Sequence, residues 1–433
     1  MKKNLKTVFI ICIAIAALLA GLVLYASAQE GRLLEIQEQQ TARKQALAKI
    51  KAADILGIDP DTVVVPDEVE LKGFDEFILK VYDSSRLLWV LVIDLLIIGV
   101  GGLVYGTYKQ KKAASGATKK LGSSNNVIGI VIALAALCLD LAIASPVFLT
   151  ASNFLNVFQQ ISINFVVAVG MTFVIISGGI DLSVGSNIAL SGLLMGILMK
   201  NYNVPVPVTI LACIAFSGLV GLVNGLLISF LDLPPFIATL GTMSIVRGAA
   251  YTVTGGQPIY TFPKGFTGIA GRVGGIPLWS TLIMIAVMVM GWYILKYTRV
   301  GRFTYAIGGN ENCAKLSGIN LKKVKCFVYM FSGLCCGVAA LLLTARLDSA
   351  VPTNADGQEM DAIAAVVIGG TSMSGGEGSM IGTLIGILII GIISNGLNLL
   401  GVAQGPQKMV KGLIIVVAVI IDVIRRKASE SVK

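Results

Sequence analysis

The sequence predicts an all-α fold, a polytopic bundle of transmembrane helices with about ten in a core and two more ahead of it. Three observations carry that reading. Of the 433 residues, 55% are hydrophobic and only 13% are charged, against about 25% charged in an average soluble domain. Apolar runs recur at a length that crosses a hydrocarbon layer of roughly 30 Å. Lysine and arginine gather in some of the connections between the runs, the pattern of loops held on the cytoplasmic side.

Twelve apolar segments follow in order, near 7–27, 87–106, 127–147, 157–177, 183–199, 207–230, 237–254, 278–296, 325–344, 361–374, 380–400 and 409–424. The segment at 361–374 is short and contains glycine, so a half-helix or a re-entrant piece is expected there. Lys2, Lys3 and Lys6 precede the first segment and keep the N-terminus inside. Residues 29–85 carry twelve acids against seven bases and read as extracytoplasmic. The connection 107–126 holds Lys109, Lys111, Lys112, Lys119 and Lys120 with no acid, and 297–324 is also basic, so both are inside. Arg425, Arg426 and Lys427 place the C-terminus inside. Twelve crossings satisfy all five placements.

These boundaries divide the chain. Residues 1–28 are an N-terminal helix; a signal peptide ending at Ala26-Ser27-Ala28 is the competing reading. Residues 29–85 form an acidic extracytoplasmic insert, helical in its first half and broken at Pro60 and Pro66, a spacer or docking surface. A helix at 86–106 and a basic linker at 107–126 lead to the core, 127–426, and a short tail, 427–433.

Composition excludes several function classes. The net charge of +10 sits largely in loops, which argues against nucleic acid as a partner. There is no histidine, and the seven cysteines have no metal-ligand spacing, so no metal site is expected and the cysteines read as small packing residues. No G-x-x-x-x-G-K-[ST] run and no nucleophile elbow occurs, so neither P-loop hydrolysis nor a serine-hydrolase site is supported. A protein that moves or senses something remains.

Glycine pairs four apart, Gly192/Gly196, Gly221/Gly225, Gly333/Gly337 and Gly382/Gly386, predict helix backbones in close approach, because lipid gives no hydrophobic drive for association. In the loop 304–320, TYAIGGNENCAKLSGIN, Asn310 is a good N-cap, Glu311 suits the first turn and Gly318 a terminator. A helix of about two turns is expected, with a small-residue face of Ala314, Ser317 and Gly318. It fits a groove in a partner or a connector on the membrane surface.

Polar residues within or beside apolar segments are the other candidates. Arg247, Asp140, Asp94, Asn224, Asn395 and Asn398 fall inside predicted spans. Interhelical hydrogen bonding is the expected role of the asparagines. Arg247 is either structurally paired, with Asp181 a conceivable partner, or part of a pathway. Ser183, Ser186, Asn187, Ser191, Thr239 and Thr242 suit a path for a hydrogen-bonding, uncharged solute, and suit plain helix packing equally. In SGGIDLSVGSNIALSG (177–192) the crossing count puts Asp181 at a cytoplasmic turn, where Gly178, Gly179 and Gly185 permit a tight bend and Asp181 or Ser183 can cap the next helix.

Four blocks carry a resemblance: SGGIDLSVGSNIALSG (177–192), LPPFIATLGTMSIVRGAAYTVTGGQPI (233–259), YAIGGNENCAKLSGIN (305–320) and DAIAAVVIGGTSMSGGEGSMIGTLIGILIIGIISNGLNLLG (361–401). In this order they resemble the ribose/galactose-type permeases of bacterial ABC sugar importers, over about 127–426. The resemblance implies a multi-pass plasma-membrane subunit working as a homodimer. Its other partners would be a cytoplasmic ABC ATPase, which would hold the ATP and Mg, and an extracytoplasmic binding protein that delivers a monosaccharide. This chain would carry no cofactor and no catalytic site. The resemblance makes the loop helix a coupling helix, with Gly308, Gly309, Asn310, Glu311, Ala314, Leu316, Ser317 and Gly318 as its residues. Pathway or gating candidates are Asp181, Ser183, Asn187, Thr239, Thr242, Arg247, Asn395 and Asn398. The two leading helices and the acidic insert depart from the family pattern. An ion-coupled secondary transporter and a membrane receptor or scaffold are the alternative readings.

Overall fold

The computed structural model describes residues 42, 134–135, 137–272 and 276–430. The expected helix or signal peptide at 1–28, the insert 29–85 apart from residue 42, the helix 86–106, the linker 107–126 and residues 431–433 lie outside the described residues. Residues 120–399 with 403–433 form one compact unit, and a second, 1–119 with 400–402, lies almost wholly outside them.

The described part is helical apart from one two-stranded ribbon. After helical residues at 137–144 come α1 (Ala151–Ile176), α2 (Val184–Lys200), α3 (Val206–Phe230), α4 (Pro235–Thr254), β1 (Ile259–Tyr260) and the single turn α5 (Lys264–Thr267). Then follow α6 (Leu278–Tyr297), α7 (Arg299–Gly309), α8 (Glu311–Leu316), α9 (Leu321–Leu347), β2 (Ser349–Ala350), α10 (Gln358–Ile368), α11 (Met380–Leu399) and α12 (Gln404–Glu430). Each of the ten predicted core segments overlaps helical residues, the first of them (127–147) only within its described part from residue 134 on. Six of these helices, α1, α3, α4, α6, α9 and α11, are long and apolar enough to cross a membrane.

Local chemistry sets the ends. Thr150, Thr298, Asn310 and Asn320 each accept a hydrogen bond from an N–H in the first turn of α1, α7, α8 and α9, satisfying donors that a helix start leaves free. Proline opens α4 and immediately precedes α3, α5 and α6, where its missing N–H costs nothing.

α1 is the centre. Its span is 94% buried, against 28% for each of α3, α4 and α6, which turn Leu211, Ile245 and Trp279 outward. All eight glycines of the predicted pairs stand where a Cβ would crowd a neighbouring segment. Two of these pairs face each other between α3 and α9: a Cβ on Gly221 would lie 3.0 Å from Gly333 Cα, and one on Gly225 2.7 Å from Cys326 Cα.

β1 and β2 pair antiparallel, Ile259 with Ala350 and Tyr260 with Ser349. Lys200, at the end of α2, donates to Tyr260 O at 2.6 Å, so one end of the bundle carries this ribbon. The opposite end carries α7 and α8.

Two segments are interrupted inside the bundle. The turn 177–183 between α1 and α2 folds back among the helices, and Asp181 is 1% exposed. It meets Ser332, the twelfth residue of α9, about 16 Å along that helix at 1.5 Å per residue. The expected turn at the membrane face is therefore corrected to a buried one. Gly178, at φ +82°, lets the chain double back, and the missing Cβ of Gly179 leaves room for the Tyr329 ring and hydroxyl. The segment expected at 361–374 is the eleven-residue α10 followed by a glycine-rich loop. At about 16 Å this helix covers half a hydrocarbon layer. Gln358 at its start bonds Asn164, the midpoint of α1, at 3.3 Å. Non-helical backbone at such depth is stable only when protein encloses it.

Candidate functional site

Asp181 is the centre of a polar seam that links α2, α3 and α9. Its Oδ1 accepts from Ser183 N at 3.0 Å and Ser183 Oγ at 2.6 Å, and its Oδ2 accepts from Ser332 Oγ at 2.9 Å. Ser183 Oγ in turn accepts from Asn224 Nδ2 at 2.8 Å. One turn on, Asn187 donates to Ser217 O at 3.0 Å, and Ser217 Oγ lies 3.0 Å from Asn187 Oδ1 and 2.8 Å from Gly333 O. Ser186 and Ser191 close local bonds to Ser183 O and Asn187 Oδ1. All these side chains are buried. A buried polar group is costly unless paired, and here the pairing joins three helices. Ser183 makes no capping bond to α2; Asp181 bonds Ser183 itself, so the expected cap is replaced by a local turn.

Arg247 and Asp181 do not pair. Thr239, near the start of α4, reaches Ile180 O at 3.3 Å. Arg247 lies eight residues further toward the ribbon end and donates to Pro352 O and to Asn354 O at 2.9 Å. Rise along the helix, about 12 Å, separates the two charges. Arg247 instead clasps the loop between β2 and α10. That loop reaches back to Gly185, whose missing Cβ accommodates Ala355 O and the Glu359 carboxylate. The start of α10 thus stands beside the start of α2. Thr242 is buried on the same helix.

The predicted asparagines bond between elements. Asn395 Nδ2 donates to Asn153 Oδ1 at 2.8 Å and Asn153 Nδ2 returns a bond of 3.1 Å, joining α11 to α1. Asn398 accepts from Gln407 at 2.9 Å. The partners Asn153, Ser217, Ser332 and Asn164 were missed by sequence reasoning. Their only signal is a polar residue within or beside an apolar run, and Asn153 precedes its run.

At the other end, α8 is a six-residue helix held at both ends. Asn310 Oδ1 accepts from Cys313 N at 2.9 Å. Gly318, at φ +81°, donates to Lys315 O while Ile319 N donates to Ala314 O, the double bond of a Schellman ending. Glu311 pairs with Lys325 of α9 at 2.7 Å. The expected small-residue face is split. Ala314 is buried against the bundle, whereas Ser317 and Gly318 are exposed and Leu316 is 88% exposed. The outward surface is polar and carries one large apolar side chain. Gly308 and Gly309 end α7 directly before this helix. Among the described residues no cluster of metal-ligating side chains occurs, and the six cysteines are free.

Residues 153–419 match the family model described as branched-chain amino acid transport system / permease component. The ribose import permease protein RbsC of Escherichia coli (strain K12) is 44% identical over 300 residues, covering 67% of this chain and 92% of the relative. RbsC of Bacillus subtilis (strain 168) is 45% identical over 312 residues, covering 70% and 94%. The galactose/methyl galactoside import permease protein MglC of Haemophilus influenzae (strain ATCC 51907 / DSM 11121 / KW20 / Rd) is 36% identical over 314 residues, covering 68% and 90%. No solved structure gives a significant match.

Proposed function

The chain belongs to the branched-chain amino acid transport system / permease component family, and on that premise we propose that it is the membrane subunit of an ATP-driven importer for a monosaccharide. The observation that carries the reading is the 44% identity to a ribose import permease over 92% of that relative. Galactoside and allose permeases among the relatives keep the solute to a ribose-, galactose- or allose-like pentose or hexose. The buried seam of serines and asparagines agrees with a membrane core built for neutral, hydrogen-bonding chemistry.

Two copies of the chain form the pathway, with both termini cytoplasmic. A separate ATPase subunit binds ATP and Mg; the absence of a P-loop run in this sequence supports that division of labour. A binding protein on the other side delivers the sugar. Closure of the ATPase moves α8, and the bundle responds by opening to one side or the other.

Reconstitution tests this. With its ATPase and binding protein in proteoliposomes, the chain takes up radiolabelled D-ribose or D-galactose only when ATP is supplied. Uptake driven by a sodium or proton gradient without those partners would replace the reading with an ion-coupled carrier.

A further inference from the structure

α8 is continuous in its mechanics with three other backbones. Asn310 is at once the residue after α7 and the N-cap of α8. Just before it, Gly308 and Gly309 lie against two segments far away in sequence. A Cβ on Gly308 would overlap Ile176 O and come within 2.5 Å of Gly376 N. A Cβ on Gly375 would stand 2.8 Å from Gly308 Cα and 3.0 Å from Gly178 N, and one on Gly376 2.8 Å from Gly309 Cα. Gly376 N donates to Ile176 O at 2.9 Å. On α7, Tyr305 OH donates to Gly378 O at 2.8 Å. Gly178, Gly375 and Gly376 have φ of +82°, +83° and +78°, a region open to glycine at no steric cost.

Three chain segments therefore meet backbone to backbone: the end of α1, the end of α7 and the loop between α10 and α11. At Gly308, Gly375 and Gly376 the nearest neighbours are backbone atoms. A side-chain contact can re-pack by changing rotamer, whereas close-packed backbone passes a displacement on. The first of these segments runs directly into the turn that holds Asp181. The last ends α10, whose other end faces the start of α2 through Gly185.

We propose that Gly308 is a positioning residue for transport: through its contact with Ile176 and Gly376, α8, the turn after α1 and the loop after α10 move as one body. A push on α8 is then delivered at once to both interruptions of the bundle. This rests on the reading of the chain as an importer subunit.

Two measurements test it in the complex with ATPase and binding protein. In Gly308→Ala the methyl group wedges the joint apart. Sugar moved per ATP hydrolysed is expected to fall about ten-fold, a typical coupling magnitude, in assembled complexes that still hydrolyse ATP. An unchanged ratio overturns the proposal. The second measurement keeps Gly308 intact. Spin labels replace the exposed Asn312 and Glu377, with a reference label at the exposed Tyr202, in a chain whose native cysteines are replaced by alanine. Between nucleotide-free and ATP-trapped states the 312–377 distance is expected to stay constant, while both labels shift relative to 202. A changed 312–377 distance, or no shift of either label from 202, overturns the proposal. Failure of the unaltered chain to take up D-ribose or D-galactose with ATP strikes the importer reading instead.

Discussion

Asp181 accepts a 2.9 Å hydrogen bond from Ser332, 151 positions later in the chain. That bond fixes the turn 177–183 against α9, and the Ser183 bonds fix the rest of the carboxylate. Ser332→Ala is expected to destabilise the subunit by about 1–3 kcal/mol, the cost of leaving a buried hydrogen-bonding group without its partner. Asp181→Ala is expected to cost more, since it strands Ser183 and Ser332 together. Asp181→Asn should be the mildest: its oxygen can serve Ser183, and its amide can donate to a rotated Ser332 hydroxyl. Denaturation of the purified subunit in mixed micelles orders the three. Asn as damaging as Ala would show that the charge, not the bonding pattern, matters here.

Gly333 and Gly241 make a matched pair for the packing argument. A Cβ on Gly333 would drive into Ser217 O and stand 3.1 Å from Gly221 Cα, while one on Gly241 meets nothing within 4 Å. Gly333→Ala is expected to cost about 1–3 kcal/mol through overpacking. Gly241→Ala should be neutral or stabilising by up to about 1 kcal/mol, the helix preference of alanine over glycine. Equal effects in the same unfolding assay would count against close α3–α9 packing.

The sequence made the ends of α8 legible because caps are local: Asn310 and Gly318 act on residues within four positions. The close-packed glycine pairs were legible for a similar reason, since a four-residue spacing marks one helix face. Asn153 and Asn395 are 242 positions apart, and nothing local names such a partner. The depth of Asp181 was not legible either. Charge alternation counts crossings, and a buried turn and a surface turn leave the same count. The Arg247 carbonyl contacts depend on how far the loop 351–357 dips toward Gly185, which no spacing rule reports.

Two ion pairs tie α12 to the α10 region, with different expected weights. Lys408 and Asp356 are 2.8 Å apart with side chains 65% and 63% exposed. Lys408→Ala should have the smaller effect of the two, since its pair is exposed. Lys411 and Asp361, at 2.8 Å, are 24% and 11% exposed. Lys411→Ala leaves a buried carboxylate unpaired, which should cost on the order of 3 kcal/mol.

Leu316 presents the last test, because its exposure has no purpose within the subunit itself. It is 88% exposed on α8, between the exposed Lys315 and Ser317, while Ala314 anchors the helix inward. Removing an exposed side chain should leave the stability of the isolated subunit unchanged within about 0.5 kcal/mol. If the ATPase covers α8, burying a leucine there contributes about 1.5–3 kcal/mol to the complex. Leu316→Asp is then expected to weaken ATPase binding by roughly 10–100-fold, measured by titrating the purified ATPase onto the subunit in nanodiscs. Ala314→Leu is the contrasting substitution: it pushes a large side chain into the packed face of α8 and should lower subunit stability first. If Leu316→Asp bound the ATPase as tightly as the wild type, α8 would be a connector on the membrane surface and the docking site would lie elsewhere on the loop.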